Sequence, residues 1–446
     1  MSSQITEILE HDKAHDETEA GNYFVANYPP FSYWDAETAK NVRGILDQPQ
    51  KPGVPLGVYF HVPFCRKRCH FCYFRVYTDK NADDIKRYLD AGIAELELYA
   101  KSPLIQGRKP KFVYFGGGTP SYLSVTQLQS LTDRMKALLP WDEAEEVTFE
   151  AEPGTLTEQK LKAIRDIGVT RLSLGVENFD KHILEINGRA HRTEEIYRAY
   201  NYARSIGFPQ INIDLISGMV EETDENWREN VRKTIELLPD SVTIYQMEVP
   251  YNTGIYKEMK AEGKLTAPVA NWHTKRGWVD YAFAELERAG YTVTSGYTAV
   301  RDPQKARFVY RDALWSGADL IGLGVASFSH IAGTHFQNIN EFTQYLEAIQ
   351  RGELPISRAM TTTEEERMIR EFILQMKLGR VSQQYFRDKF GVSVGERFRQ
   401  QFDDLRVKNL IGEQGDWLVL SREALLKVDT LLHAFFLPQH KGSRYV

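Results

Sequence analysis

The chain has 446 residues, a formal net charge of −6 and only three cysteines. That length exceeds what one hydrophobic core usually supports, so a large domain with at least one smaller companion is expected. The acidic balance weighs against nucleic acid as a partner, since neutralising phosphates takes clustered Lys and Arg, and no apolar run approaches the ~18 residues of a membrane span.

Residues 1–20 are polar and acidic and lack the apolar core of a secretory signal. With three clustered rather than paired cysteines, this points to a reducing, cytoplasmic setting. "NYFVANYPPFSYWD" (22–35) is aromatic and proline-bearing and reads as an irregular piece of an N-terminal arm, residues 1–55, that ends in the linker "KPGVPLG". A repeated grammar then begins, a short β-branched run followed by an amphipathic helix. The strand expectations are 57–61, 111–115, 147–151, 172–176, 211–216 and 241–249. Between the first two, Ile85, Leu89, Ile93 and Leu96 recur at helical spacing, and "ENWRENVRKTIELL" repeats the rule. Strands alternating with helices pair in parallel through right-handed crossovers. The expected fold class is α/β: a partial (β/α)6 barrel over 56–290, with a flat doubly wound sheet as the alternative. "GYTVTSGY" reads as a strand, and "ADLIGLGVASFSH" (318–330) as an apolar run into glycine turns, within a barrel extension at 291–360. From 361 to 446 helical patterns end in the strand-like "GDWLVLS", which suggests a small helical, winged-helix-like domain.

All three cysteines lie in "FCRKRCHFCYF" (64–74), directly after the first strand. Cys65, Cys69 and Cys72 are spaced Cys-x3-Cys-x2-Cys, so their thiolates converge on one small region. Zinc would need a fourth ligand, for which His61 and His70 are candidates. An iron–sulfur cube held by three thiolates leaves one iron free to chelate a small molecule. The basic residues between the cysteines offer charge to an anionic cluster; the plain alternative is solvated loop charge.

This loop resembles the signature of radical S-adenosylmethionine (SAM) enzymes. The resemblance implies a [4Fe–4S] cluster on Cys65, Cys69 and Cys72, with SAM bound at the open iron. It also implies reductive cleavage of SAM to a 5′-deoxyadenosyl radical, and a low-potential electron donor such as flavodoxin or ferredoxin. The stretches "YFHVPFC" (59–65), "FGGGTPSYL" (115–123), "RLSLGVENF" (171–179), "INGRAH" (186–191) and "INIDLISGM" (211–219) are similar to the oxygen-independent coproporphyrinogen oxidase group. The match runs from about 22 to 440. In that group two SAM molecules can lie side by side. The resemblance places Tyr59, Gly116, Gly117, Glu150 and Phe328 near the first. It places Phe71, Gly118, Thr119, Glu177, Arg189, Asp214 and Met247 near the second.

Three positions depart from the pattern. The oxidases carry a fourth cysteine where Phe74 stands, and a glutamine where Glu177 stands. The haem-chaperone branch carries a haem-binding histidine in the stretch matching "FVYRDALW" (308–315), which has Tyr310 and Arg311 instead. Methyltransferases and cyclopropanases on this scaffold also lack the fourth cysteine. The expected activity is therefore radical SAM chemistry on a tetrapyrrole or another large conjugated substrate, with methyl or methylene transfer as one route. The alternatives are oxidative decarboxylation of coproporphyrinogen and a haem chaperone.

Overall fold

The computed structural model describes residues 17–442 except 22 and 265. The chain forms two compact units. One comprises Trp34–Asp214 and Arg307–Thr362; the other comprises Leu215–Ala306, Thr363 onwards and the segment up to Tyr33.

The first unit is built on β1 (Leu56–Val62), β2 (Pro110–Gly117), β3 (Glu146–Ala151), β4 (Arg171–Glu177) and β5 (Gln210–Ser217), the last of which carries the chain out of this unit after Asp214. It continues with β6 (Asp319–Leu323), β7 (Phe328–Ile331), β8 (Thr334–Asn338) and β9 (Ile356–Thr361). The sheet order is β9-β8-β7-β6-β1-β2-β3-β4-β5. Strands β1 to β4 pair in parallel, β6 joins β1 in parallel, and β7 to β9 add an antiparallel edge. Every residue of β1 except Tyr59 is buried, as expected for a strand covered on both faces. The helix Ala82–Ala100 starts on a capping box of Asn81 and Asp84 and buries Ile85, Leu89, Ile93 and Leu96, the four positions its periodicity singles out. Helix Val125–Leu138 begins on the same device, using Ser124 and Gln127. The run 318–330 resolves into β6, a glycine turn and the start of β7.

In the second unit the strand expected at 241–249 stops at Gln246, because Met247 turns its N–H to the carbonyl of Ser217. "GYTVTSGY" (290–297) contributes only the short strand Thr292–Val293 and a turn, and a second short strand, Thr298–Val300, follows directly after it. The intervening residues close a tight turn in which the Thr294 and Ser295 N–H groups both reach the Thr298 carbonyl. Its C-terminal part carries helices and a three-stranded antiparallel sheet of Arg380–Ser382, Trp417–Leu420 and Ile411–Gln414. Phe372, Phe386, Phe398, Phe402 and Phe435 make up its aromatic core. No helix among the described residues is long and apolar enough to cross a membrane.

Candidate functional site

The cysteine loop leaves the end of β1 and is closed at its base. Cys65 donates its N–H to the Tyr77 carbonyl at 3.1 Å and Tyr77 returns one to Pro63 at 2.7 Å. Inside the loop, the Cys72 N–H reaches the Cys69 carbonyl, and Arg68 holds the Cys72 carbonyl at 3.0 Å. The loop is docked against the "INGRAH" segment, with the His70 N–H on the Asn187 carbonyl at 3.1 Å. A Cβ on Gly188 would lie 2.9 Å from the His70 ring, so this contact needs a residue without one.

Two groups address the sulfurs. The Thr119 hydroxyl lies 3.3 Å from Cys65 Sγ, and Arg189 Nη1 lies 3.4 Å from Cys69 Sγ. Burial pushes the Cys65 thiol up to about 12 and the Cys72 thiol up to about 11; Cys69 adds to both shifts, Cys72 adds to that of Cys65, and Thr119 and Arg189 oppose that of Cys65. Such thiols bind metal by giving up their protons, and hydrogen bonds and a fixed cation make that exchange easier. The donor set fits a cluster with one thiolate on each of three irons. Among the described residues no fourth His, Asp or Glu joins the three cysteines in a metal-binding group. His61 is instead buried, with Nδ1 3.0 Å from the Tyr59 hydroxyl, and burial lowers it to about 4.

The glycine run closes β2. The Gly118 N–H bonds the Val62 carbonyl at 2.8 Å, and a Cβ there would stand 3.1 Å from Cys65 Sγ. Gly117 takes φ +110°, and its N–H donates to Glu150 Oε2 at 3.0 Å. Glu150, on β3, also accepts from the Tyr114 hydroxyl at 2.6 Å. Burial still raises it to about 7, and Asp214 adds to the shift.

The next two strands carry the remaining acids. Glu177 closes β4 in a left-handed conformation, φ +63°, and lies 3.6 Å from Arg189 Nη2. The same guanidinium donates to the Gly175 carbonyl at 2.7 Å. Burial pushes Glu177 up to about 7; Arg189 pulls it down, while Asp214 and Glu150 push it further up. Asp214, midway along β5, is held by Ser173 at 2.8 Å and Asn212 at 2.9 Å, and burial raises it too.

The structure therefore brings together most residues singled out from the sequence. Cys65 meets Gly118 and Thr119; Cys69 meets Arg189 and, through it, Glu177; Glu150 meets Gly116 and Gly117. Phe71 is half-buried in the loop, and Phe328 opens β7, 38% exposed and edge-on to Trp34 at 5.8 Å. Met247 is buried in the second unit.

Sequence reasoning missed three supports. Glu152 pins the loop through Arg66 at 2.9 and 3.0 Å. Burial would raise Glu152, but His191, Arg189 and Arg66 outweigh it and hold the carboxylate low. Tyr114 reaches Glu150 and packs at 4.4 Å on Tyr310, so Tyr310 belongs to an aromatic cluster against β2. Glu95, buried mid-helix, accepts from the Gly324 N–H at 2.9 Å, Tyr345 at 2.7 Å and Asn338 at 2.6 Å, and so fixes the turn before Phe328. Its only trace in the sequence is a carboxylate on the apolar face of a helix.

Residues 59–234 match the family model described as the radical SAM superfamily. The haem chaperone HemW of Bacillus subtilis (strain 168) is 28% identical over 381 residues, covering 84% of this chain and 98% of that protein. Oxygen-independent coproporphyrinogen III oxidase of Escherichia coli (strain K12) is 28% identical over 333 residues, covering 72% and 71%. The solved structure of the Escherichia coli coproporphyrinogen III oxidase, described as a radical SAM enzyme, superposes with a TM-score of 0.79 at 23% identity over 94% of this chain and 99% of that one. Residues 59–234 thus carry a radical SAM domain after the first parallel strand begins, and the chain is a radical SAM enzyme that is similar over most of its length to oxygen-independent coproporphyrinogen III oxidase and HemW.

Proposed function

We propose that Cys65, Cys69 and Cys72 hold a [4Fe–4S] cluster, that two SAM molecules bind beside it, and that the enzyme transfers a methyl or methylene group to a tetrapyrrole or similarly large conjugated substrate. When bound, the cluster supplies the reductive cleavage of SAM to a 5′-deoxyadenosyl radical. The chain's own residues bind and orient. The Gly116–Gly117 backbone and Glu150 would take the methionine part of the first SAM, with Tyr59 and Phe328 on its nucleoside side. Phe71, Gly118, Thr119, Glu177, Arg189 and Asp214 would take the second.

One observation carries this reading. Glu150, Glu177 and Asp214 are half-buried carboxylates within mutual electrostatic reach, and each is raised above its ordinary range. A site that holds three acids together favours a cationic ligand, and SAM brings both an ammonium and a sulfonium. Glu177 suits a sulfonium better than the oxidases' glutamine, with a charge-assisted contact there worth about 1–3 kcal/mol.

The test is turnover with SAM carrying a deuterated methyl group. Label in the product supports methyl or methylene transfer, and Glu177→Gln should then reduce transfer while sparing basal SAM cleavage. Carbon dioxide released from coproporphyrinogen without label movement establishes the decarboxylase instead. Anaerobic reconstitution should give about four irons per chain, and Cys→Ala at any of the three positions should abolish SAM cleavage. Stoichiometric zinc without iron uptake would end the reading. Tyr310 packs against Phe112 and Tyr114 where the chaperone branch carries its histidine, which weighs against haem ligation there.

A further inference from the structure

Glu150 is held by a side chain that lies outside the motifs of the site. Strands β2 and β3 pair with Tyr114 beside Thr148, so Gly116 and Glu150, each two residues on, share one face with Tyr114. The Tyr114 hydroxyl donates to Glu150 Oε1 at 2.6 Å, and the Gly117 N–H donates to Oε2 at 3.0 Å. One donor on each oxygen fixes the plane of the carboxyl group. Gly116 is shaped around this pair: a Cβ there would stand 2.7 Å from Tyr114 Cε1 and 3.1 Å from Glu150 Oε2. The room a side chain would need is taken by the phenol ring and the acid it holds.

Tyr114 is itself held in place. It is 8% exposed, and its ring packs 5.8 Å from that of Tyr59 and 4.4 Å from that of Tyr310 in the helix Val309–Trp315. Tyr310 in turn lies edge-on to Phe112, two residues before Tyr114. A buried phenol needs some partner for its hydroxyl, and a backbone carbonyl would serve. Here the partner is an acid, at the short distance of a charge-assisted bond. The surroundings of Glu150 make that bond matter. Burial raises the carboxyl, and Tyr114 is the strongest influence opposing it; Asp214 on β5 adds to burial, while the Gly117 N–H and Arg171 on β4 pull the other way. Glu177, Tyr59 and Tyr310 also feel its charge.

We propose that Tyr114 is a positioning residue for SAM: its hydroxyl, together with the Gly117 N–H, orients the Glu150 carboxylate for the ligand's ammonium group without itself touching the ligand. The proposal rests on the reading that Glu150 takes the methionine part of SAM. A ligand-binding acid works best when packing and hydrogen bonds have fixed it before the ligand arrives. Tyr114 also favours the anion over the neutral acid, because a hydroxyl donor bonds a carboxylate more strongly than a carboxylic acid. Its removal therefore affects binding most where Glu150 is only partly ionised.

The experiment compares the parent, Tyr114→Phe, Glu150→Gln and the double variant. Phenylalanine keeps the ring and its packing and removes only the hydroxyl. In protein without SAM, carbon-13 NMR of carboxyl-labelled glutamate follows the titration of Glu150, assigned by its disappearance in Glu150→Gln. In Tyr114→Phe that titration should move to higher pH by about one unit. Calorimetry with SAM on reconstituted protein then gives affinity against pH. Tyr114→Phe should bind SAM about 5- to 10-fold more weakly than the parent near pH 7 and approach it as pH rises. SAM's own titration is common to all four proteins and cancels in the ratio. In the Glu150→Gln background the same change should matter by less than about twofold, since no acid is left to orient. An unmoved titration would overturn the proposal. Equal losses with and without the acid would also overturn it, since Tyr114 would then be a structural brace only. If Glu150→Gln binds SAM as tightly as the parent, the reading of Glu150 fails and takes the proposal with it, whereas an unmoved titration defeats the proposal alone.

Discussion

Arg189 Nη1 lies 3.4 Å from the sulfur of Cys69, in a loop 120 residues away. The other arm of the same guanidinium faces Glu177 and the Gly175 carbonyl. One planar cation thus ties the cysteine loop to the acid at the end of β4.

This relationship predicts unequal outcomes for two substitutions. Lysine presents one point charge and cannot serve three acceptors from one plane. Arg189→Lys should therefore keep its iron but lose about 10- to 100-fold in SAM cleavage, the equivalent of about 1.5–3 kcal/mol for charge-assisted contacts. Arg189→Met leaves Glu177 buried without its cation and should destabilise the fold by about 3 kcal/mol. Iron content, cleavage rate and thermal unfolding together separate the two cases.

The raised carboxylates predict how SAM affinity depends on pH. Burial pushes Glu150 and Glu177 up to about 7, with Asp214 facing both, Arg171 near Glu150 and Arg189 beside Glu177. A carboxyl whose folded value lies above its unfolded one gives stability that is full below the unfolded value and is lost as pH rises through the folded value. These carboxyls should therefore withdraw stability from the SAM-free protein as pH climbs from about 5 to about 8, against the opposite contribution of His61 and Lys275, whose folded values are lowered. Glu95, also near 7, and Glu248, near 8, add to that slope. A cationic ligand favours the ionised carboxylates, so SAM should bind more tightly as pH rises through about 7. Titration calorimetry of the parent and of Glu150→Gln checks this; the variant should flatten the profile.

Gly117 predicts a steric cost that a control can isolate. With φ +110°, any side chain there strains the backbone, and its Cβ would lie 2.3 Å from His61 Nδ1. Gly117→Ala should lose about 1–3 kcal/mol from the backbone alone, with a further loss as His61 is pushed aside. Gly107, at φ +78° with nothing within 4 Å of where a Cβ would stand, supplies the comparison. Gly107→Ala should show only the backbone part in denaturant unfolding.

Glu95 predicts a long-range effect on the turn before Phe328. All three of its described partners are donors, so a glutamine amide must point its own N–H groups at one of them. Glu95→Gln should cost about 1–3 kcal/mol. Hydrogen exchange should quicken at Gly324 and Val325, whose N–H groups bond Glu95 and Tyr88.

The order of elements and the core of the site were legible in the sequence because both are local signals. Strand runs, helical periodicity and capping residues act over a few positions, and Cys65, Cys69 and Cys72 announce a shared ligand by spacing alone. The alternation of strand and helix also implied parallel pairing, which β1 to β4 adopt. Local pattern could not show that the strand in "GYTVTSGY" would end at Val293 and pair with the residues that follow the stretch, or that Glu177 would close β4 in a left-handed conformation. Nor could it show that Arg189 would address Cys69, that Glu152 would pin Arg66, or that Glu95 would hold a turn more than two hundred residues away. Those are choices among buried polar partners, and a buried charge must be satisfied by whichever group the packed chain brings beside it. Spacing along the sequence fixes which residues can ligate together; only the tertiary structure decides which distant cation, hydroxyl or amide completes them.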